Sequence, residues 1–391
     1  MRILLLSAEY PPQQGGVGDY TVNLAHALAQ RHVEVAVLTS SGDVQENNSL
    51  TVMRTVRGWG RTLHTDVRSA MNEWQPDVLH IQYQTGAYQM KPAINMLPSL
   101  VSVPTVVTFH DLRMPYLAPK VAPLRRYVTR MLLEHADAVI VTNAEDEARL
   151  AGDSPIEDPD VYSLSHALHP PPYLIPIGAN IEVCDMPDRA AARHAVNVAD
   201  DQVLVAYFGL LNSSKGVHTI IEALPYLPSN VQLMIIGGGT STPADEEYGQ
   251  QVRTTIDELN MADRVRWTGF LDACEVSRML QISDLAVLPF ADGASYRRGS
   301  LLATLAHGIP TITTAPRVPI EPTLRHEREV LFAPADEPIS LALAIERLAA
   351  DAALQQRLSE AGKRVANAFR WETIAARHED VYRELVANAA V

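Results

Sequence analysis

Two successive series of short apolar strands, each alternating with helical stretches, predict an α/β protein built from two doubly wound parallel-sheet domains. Three observations carry this. The 391 residues exceed what one hydrophobic core ordinarily serves. Strand patterns at 2–7, 34–39, 77–82, 105–110 and 138–142 are near-continuous apolar runs, as buried parallel strands are. A second series then restarts at Gln202, after a polar stretch over 182–201 that suits a linker with a short helix. The composition, 47% hydrophobic and 20% charged, is that of a globular protein, and a net charge of −14 argues against general affinity for nucleic acid or anionic membrane. Cys184 and Cys274 lie far apart, so neither metal spacing nor a disulfide framework is expected, and a reducing cytoplasm fits. The apolar run after Met1 reads as the first buried strand, not as a secretory signal, and no segment approaches bilayer length.

In chain order, the first strand leads into a Pro- and Gly-rich stretch at 9–20, expected to be a loop, and then into a helix carrying Leu24, Ala27 and Leu28. Gly15-Gly16-Val17-Gly18 invites a dinucleotide reading, but Thr21 stands where a third glycine belongs and the second strand ends without a ribose-binding acid. A loop backing onto a substrate phosphate is the preferred reading. Three strands end in polar residues: His80 and Gln82, His110 and Asp111, Asn143 and Glu145. Carboxyl ends of strands in open α/β sheets face the ligand crevice. His110-Asp111 is the sharpest pair, since a carboxylate can orient an imidazole for work on a substrate hydroxyl; His80 reads more readily as a capped strand end. Over 112–137 a helix shows an apolar face (Leu124, Val128, Met131, Leu132) and a basic one (Arg125, Arg126, Arg130). That basic face is ordinarily solvated, with contact to anionic lipid as the alternative. The stretch 152–173 reads as a surface loop or lid, and its His166 and His169 lack a third metal ligand.

In the second series, the strand 203–209 runs into a polar loop at 210–216 holding Lys215-Gly216, and the strand 231–236 into the glycine turn 237–239. The stretch 290–310 is the strand-to-helix turn of a βαβ unit. Gly293 and Gly299 loosen it, Ser300 is expected to cap a helix over 301–307, and Gly308 to end that helix. Arg297 and Arg298 add two permanent charges beside the helix start, so the turn reads as an anion site suited to a diphosphate. The tail from Ile339 is helical, with a last amphipathic helix over 372–386.

The order of these motifs resembles the GT-B fold glycosyltransferases, and specifically family 4 of the retaining, nucleotide-sugar-dependent enzymes. It rests on the glycine stretch at 15–18, TFHD at His110, IPIGANI, FGLLNSSKG, IIGGG, TGF, LLATLAHGIP and a Phe-x-Trp stretch before the last helix. The resemblance implies two Rossmann-like domains facing a cleft: an acceptor domain over 1–183, a donor domain over 184–368, and a segment 369–391 crossing back to the first. It also implies catalytic roles for His110 and Lys215, to which the charge at the helix start adds Arg298. Donor contacts would come from Gly16, Gly18, Gly209, Asn212, Ser295, Arg297, Gly299, Ser300 and Leu301, and acceptor contacts from Asp19, Tyr20, Gln82 and Asn143. No metal and no cofactor beyond the UDP- or GDP-linked sugar substrate is implied. Two departures fall on the donor side: Ser295 and Ala303 occupy the positions of a glutamate pair, and Leu210 that of an arginine. Arg297 and Arg298 are expected to replace the missing charge, with Ser295 or Asp292 holding the sugar. The function expected is hexose transfer to a glycan or lipid-linked acceptor with retention of configuration, in the cytoplasm or at the inner membrane face through Arg125, Arg126 and Arg130. The alternative is a catalytically silent sugar-nucleotide or glycan binder in a polysaccharide biosynthesis complex.

Overall fold

The computed structural model describes residues 1–13, 15–40, 50–110, 112, 122–151, 171–240 and 242–389, without the side chains of 122–126 and 151. Asp111, His166, His169, nearly all of the expected lid and the Arg125 and Arg126 side chains therefore lie outside the described residues. The chain forms two compact units, 1–178 with 370–391 and 179–369. The first boundary thus falls at Gly178/Ala179, not at 183/184.

Unit 1 contains β1 (Arg2–Ser7), α1 (Gly16–Gln30), β2 (Glu34–Ser40), β3 (Thr51–Val56), α2 (Leu63–Trp74), β4 (Val78–Tyr83) and β5 (Thr105–Phe109). It continues through α3 (Ala122–His135), β6 (Ala138–Val141), α4 (Ala144–Ala151) and β7 (Tyr173–Leu174). Its strands form one parallel sheet in the order β3-β2-β1-β4-β5-β6-β7. All six residues of β4 are buried, because this central strand is covered on both faces. On one face Leu4, Leu6, Leu79 and Ile81 pack with Leu63 and Val67 of α2. On the other, Ile3, Leu5 and Val78 pack with Leu24 and Leu28 of α1 and with Ile374 and Tyr382 of the last helix.

The remaining elements of unit 2 and the tail are α5 (Arg189–Ala195), β8 (Val203–Gly209), α6 (Val217–Ala223), β9 (Val231–Gly237), α7 (Pro243–Glu258), β10 (Val265–Gly269), α8 (Ala273–Ile282) and β11 (Leu285–Leu288). They are followed by α9 (Gly299–Ala306), β12 (Thr311–Thr313), β13 (Leu331–Phe332), α10 (Pro338–Ala350), α11 (Ala352–Ala366) and α12 (Trp371–Ala389). The second parallel sheet has the order β10-β9-β8-β11-β12-β13. Both sheets reverse direction beside their first strand, which places the first βα turn of each unit at the switch point where such sheets take ligands.

Four expectations change. The glycine stretch is not a loop: the Asp19 N–H donates to Gly15 O at 3.0 Å and closes the first turn of α1 at Gly16. Ser300 does not cap α9; Arg298 holds the cap position, no side chain bonds to it, and Ser300 is buried inside the helix. β3 and α2 were not anticipated, since Thr51, Arg54 and Thr55 break the apolar run of an edge strand whose outer residues face water. Finally, Cys184 and Cys274 are joined in a disulfide, with Cα atoms 5.6 Å apart. Folding closes the 90-residue separation because the segment at Cys184 runs along α8. There its N–H donates to Ser277 Oγ at 2.9 Å, and its carbonyl accepts from Gln281 Nε2 at 2.8 Å.

Among the described residues, no helix is long and apolar enough to cross a membrane, and no cluster of His, Cys, Asp and Glu is suited to hold a metal ion.

Candidate functional site

In unit 2 the polar chemistry gathers where β8 and β11 end. After β8 the chain turns through Gly209 at φ +139°, and the Lys215 ammonium lies over it; a Cβ on Gly209 would come within 2.9 Å of Lys215 Nζ. The Ser214 hydroxyl donates to Asn212 Oδ1 at 2.8 Å, and the Lys215 N–H to Asn212 O at 3.1 Å, so Asn212 shapes the loop that carries the lysine. Gly216, at φ +68°, sits against Pro289 O so closely that no side chain fits. That contact ties the lysine loop to the end of β11.

Beyond β11, Asp292 accepts from Arg297 Nη2 and Arg298 Nη2, each at 2.5 Å. The Arg298 guanidinium also lies over the Phe290 ring at 4.9 Å and reaches Ser214 Oγ at 3.3 Å, joining the two loops. The two arginines are therefore not two free charges. One carboxylate offsets one of them, and it also fixes both forks. Asp292 is committed to this pairing, which removes the expectation that it holds a sugar. Even so, Nε of Arg297 and Nε of Arg298 are buried with no acceptor among the described residues. Such donors are costly to leave unfilled. Burial, and then the positive charge of Arg298, lower the Lys215 pKa to about 8. An ammonium destabilised in this way gains most from an arriving anion. α9 begins directly after Arg298, so the uncapped N–H groups of Gly299 and Ser300 add the positive end of a helix. Leu301 and Ser295 are buried, and Gly299 has open space where a Cβ would stand. Ala303, at the second glutamate position, faces the apolar core, so neither position presents a carboxylate. Leu210, at the arginine position, is 44% exposed.

Unit 1 carries the imidazole. His110 follows β5; its Nε2 lies 2.9 Å from Gln82 Oε1, and the Tyr20 ring meets it edge-on with centroids 4.6 Å apart. Burial, and then nearby His378, lower its pKa to about 3, so it is neutral near pH 7. Among the described residues, Nδ1 of His110 has no hydrogen-bond partner. Three expected acceptor contacts turn out to be internal. Gln82 is fully buried with both ends of its amide engaged, by His80 and His110. Tyr20 is 2% exposed, and its hydroxyl donates to His378 Nε2 at 3.0 Å. Asn143 accepts the Asp146 N–H at the start of α4 and donates to Asp146 Oδ2, so it closes a helix start. Asp19 is exposed on the first turn of α1, and partial burial of its carboxyl raises its pKa. Gly16 has open space around its Cα, whereas Gly18 lies against the backbone of Glu9. Arg130 is in an ion pair with Glu134 at 2.6 Å, a surface pair along α3.

Two parallel-sheet α/β units, one with a cationic cluster at its strand ends, define the GT-B architecture. Residues 188–365 match the description "Glycosyl transferases group 1" and residues 15–161 "Glycosyl transferase 4-like domain". The two matched segments together span most of the chain and support a group 1 glycosyltransferase. It is 27% identical to a glycogen synthase of Mycobacterium tuberculosis, over 98% of this chain and 94% of that protein. It is 26% identical to a D-inositol 3-phosphate glycosyltransferase of Corynebacterium diphtheriae, over 98% and 94%. Among solved structures, sucrose-phosphate synthase from Thermosynechococcus elongatus superposes with a TM-score of 0.75 at 23% identity, covering 99% of this chain and 100% of that one. HepE from Anabaena in complex with UDP and glucose gives 0.75 at 17% identity, covering 98% and 100%.

Proposed function

We propose that this chain transfers a hexose from a nucleoside diphosphate sugar to a hydroxyl of a glycan or lipid-linked acceptor, with retention of configuration. The observation that carries this reading is the pair of buried, unfilled guanidinium N–H donors on Arg297 and Arg298, beside Lys215 and the start of α9. Together they offer more positive charge than Asp292 offsets, arranged for an anion with several oxygens. Relatives named for sugar transfer, and a neighbour in the same fold solved with UDP and glucose, support the choice of a nucleoside diphosphate.

In this reading the bond from the sugar C1 to the phosphate oxygen breaks, and the diphosphate takes the electron pair. Lys215, Arg297, Arg298 and the N–H groups of Gly299 and Ser300 stabilise the charge that develops there. The acceptor oxygen bonds to C1 on the face the phosphate leaves, and its proton passes to the departing phosphate oxygen. His110, being neutral, contacts the transferred sugar with a lone pair and not as a cation.

The test is a panel of UDP-, GDP- and ADP-linked sugars with nucleotide release followed over time. Release with one donor, lost in Arg298→Ala, is expected. Tight binding without release would favour the silent-binder reading, which the missing carboxylates at Ser295 and Ala303 motivate.

A further inference from the structure

The layer between β4 and α12 should be apolar, yet it contains a continuous polar chain. His80 is fully buried on the core face of β4. Its Nδ1 lies 2.6 Å from the Tyr382 hydroxyl on α12, and its Nε2 lies 2.7 Å from Thr108 Oγ1 and 3.2 Å from Gln82 Nε2. The other end of the Gln82 amide, Oε1, meets His110 Nε2 at 2.9 Å. One chain of hydrogen bonds thus runs from the C-terminal helix to the candidate-site imidazole.

The donor and acceptor rules make this chain a constraint. An amide has a donating end and an accepting end, so the two histidines it joins cannot both present Nε2–H to it. With the Gln82 NH2 toward His80, His80 Nε2 is bare and its Nδ1–H donates to the Tyr382 oxygen. His110 must then carry its proton on Nε2 and keep a bare Nδ1. Turning the amide reverses both rings. A neighbouring ring is pinned independently: His378 Nδ1 lies 2.8 Å from Ile374 O, which only accepts, so His378 Nε2 is bare and takes the Tyr20 proton.

We propose that Gln82, His80 and Tyr382 are positioning residues that fix the tautomer of His110, holding Nε2–H inward and leaving the Nδ1 lone pair for the substrate. This deepens the transferase reading and rests on it for its catalytic consequence. The tautomer itself does not. Removing the Tyr382 hydroxyl leaves His80 Nδ1–H without its acceptor, so that ring is better placed with its proton on Nε2, toward Thr108 and Gln82. The amide then turns, and His110 receives the opposite tautomer, although its own contacts are untouched.

The test is nitrogen-detected NMR of histidine-labelled protein as the wild type, Tyr382→Phe and Gln82→Leu. His110 is expected to show a protonated Nε2 in the wild type, a protonated Nδ1 in Tyr382→Phe and a mixture in Gln82→Leu. Transfer assays on the same proteins should show kcat reduced at least about tenfold with donor KM within about twofold, and no further loss when Tyr382→Phe is added to His110→Ala. An unchanged His110 tautomer in both variants overturns the proposal, as does an equal loss in the His110→Ala background. Should no donor be turned over, the NMR arm still decides the positioning claim while the transferase reading fails separately.

Discussion

In the unit built on β1–β7, His80, His110, His378, Gln82, Tyr20 and Tyr382 lie within or beside the apolar layer, uncharged and bonded largely to one another. In the unit built on β8–β13, two guanidinium groups share one carboxylate, with N–H donors left over, and the Lys215 ammonium lies within reach of the Arg298 charge. The two sheets are alike, so the contrast comes from the residues at their strand ends. One set surrounds the His110 ring with neutral hydrogen-bonding groups. The other carries positive charge in excess of the carboxylate it shares.

The sharpest way to break this contrast is to remove the ring. His110→Ala should reduce transfer about a hundred- to ten-thousand-fold while leaving nucleoside diphosphate affinity unchanged, read by initial rates and by calorimetry on the same protein. A comparable loss of nucleotide affinity would mean the division of labour is wrong. Arg298→Ala should lose both, weakening nucleoside diphosphate binding by about 2–5 kcal/mol as well as transfer, because it removes a fork and takes from Asp292 one of its partners. Arg298→Lys keeps the charge but not the fork, and should recover only part of that loss.

The neutral rings also predict a stability profile. His80, His110 and His378 have pKa values held below the ordinary histidine value, chiefly by burial. The unfolded chain therefore binds more protons as pH falls below about 6.5. Their contribution is fully present above that pH and is lost toward about 4 for His378 and about 3 for His110, each costing at most about 1.4 kcal/mol per pH unit. Denaturant unfolding from pH 7 to 4 should show this slope, and His378→Gln should flatten it. The smallest effect belongs to the cationic unit. Lys215 loses its proton through about pH 8, so nucleoside diphosphate affinity should fall by at most about tenfold per pH unit above that value, and Lys215→Arg should level the profile. Calorimetry between pH 7 and 9.5 reads both proteins.

The parallel strands were legible because they are buried on both faces and their apolar runs are unbroken. β3 was not, since an edge strand of half-exposed Thr and Arg lacks that pattern. On the donor side, Lys215, Arg297 and Arg298 could be found from charge beside a helix start. Their pairing with Asp292 could not, although the acid stands only five and six positions away. Asp292 reads, with Ser295, as a candidate ligand for sugar because sequence does not show which way a carboxylate turns. The relay was hidden for a different reason. Gln82 and Tyr20 read as substrate contacts from their places at a strand end and a glycine stretch, but Tyr20 bonds to His378 of α12, and Gln82 bonds to His80, whose other ring nitrogen meets Tyr382 of the same helix. Polar residues on a core face announce themselves only once the covering element is known. Here that element, α12, is the last in the sequence. The disulfide was missed likewise, because a 90-residue separation says nothing about a 5.6 Å approach.

The most direct test is a structure with a nucleoside diphosphate bound. The β-phosphate oxygens should accept from Nε–H of Arg297 or Arg298, with both arginines still paired to Asp292 and Lys215 Nζ within hydrogen-bond reach. A nucleotide bound elsewhere, or one that leaves those two N–H groups without an acceptor, would contradict the account.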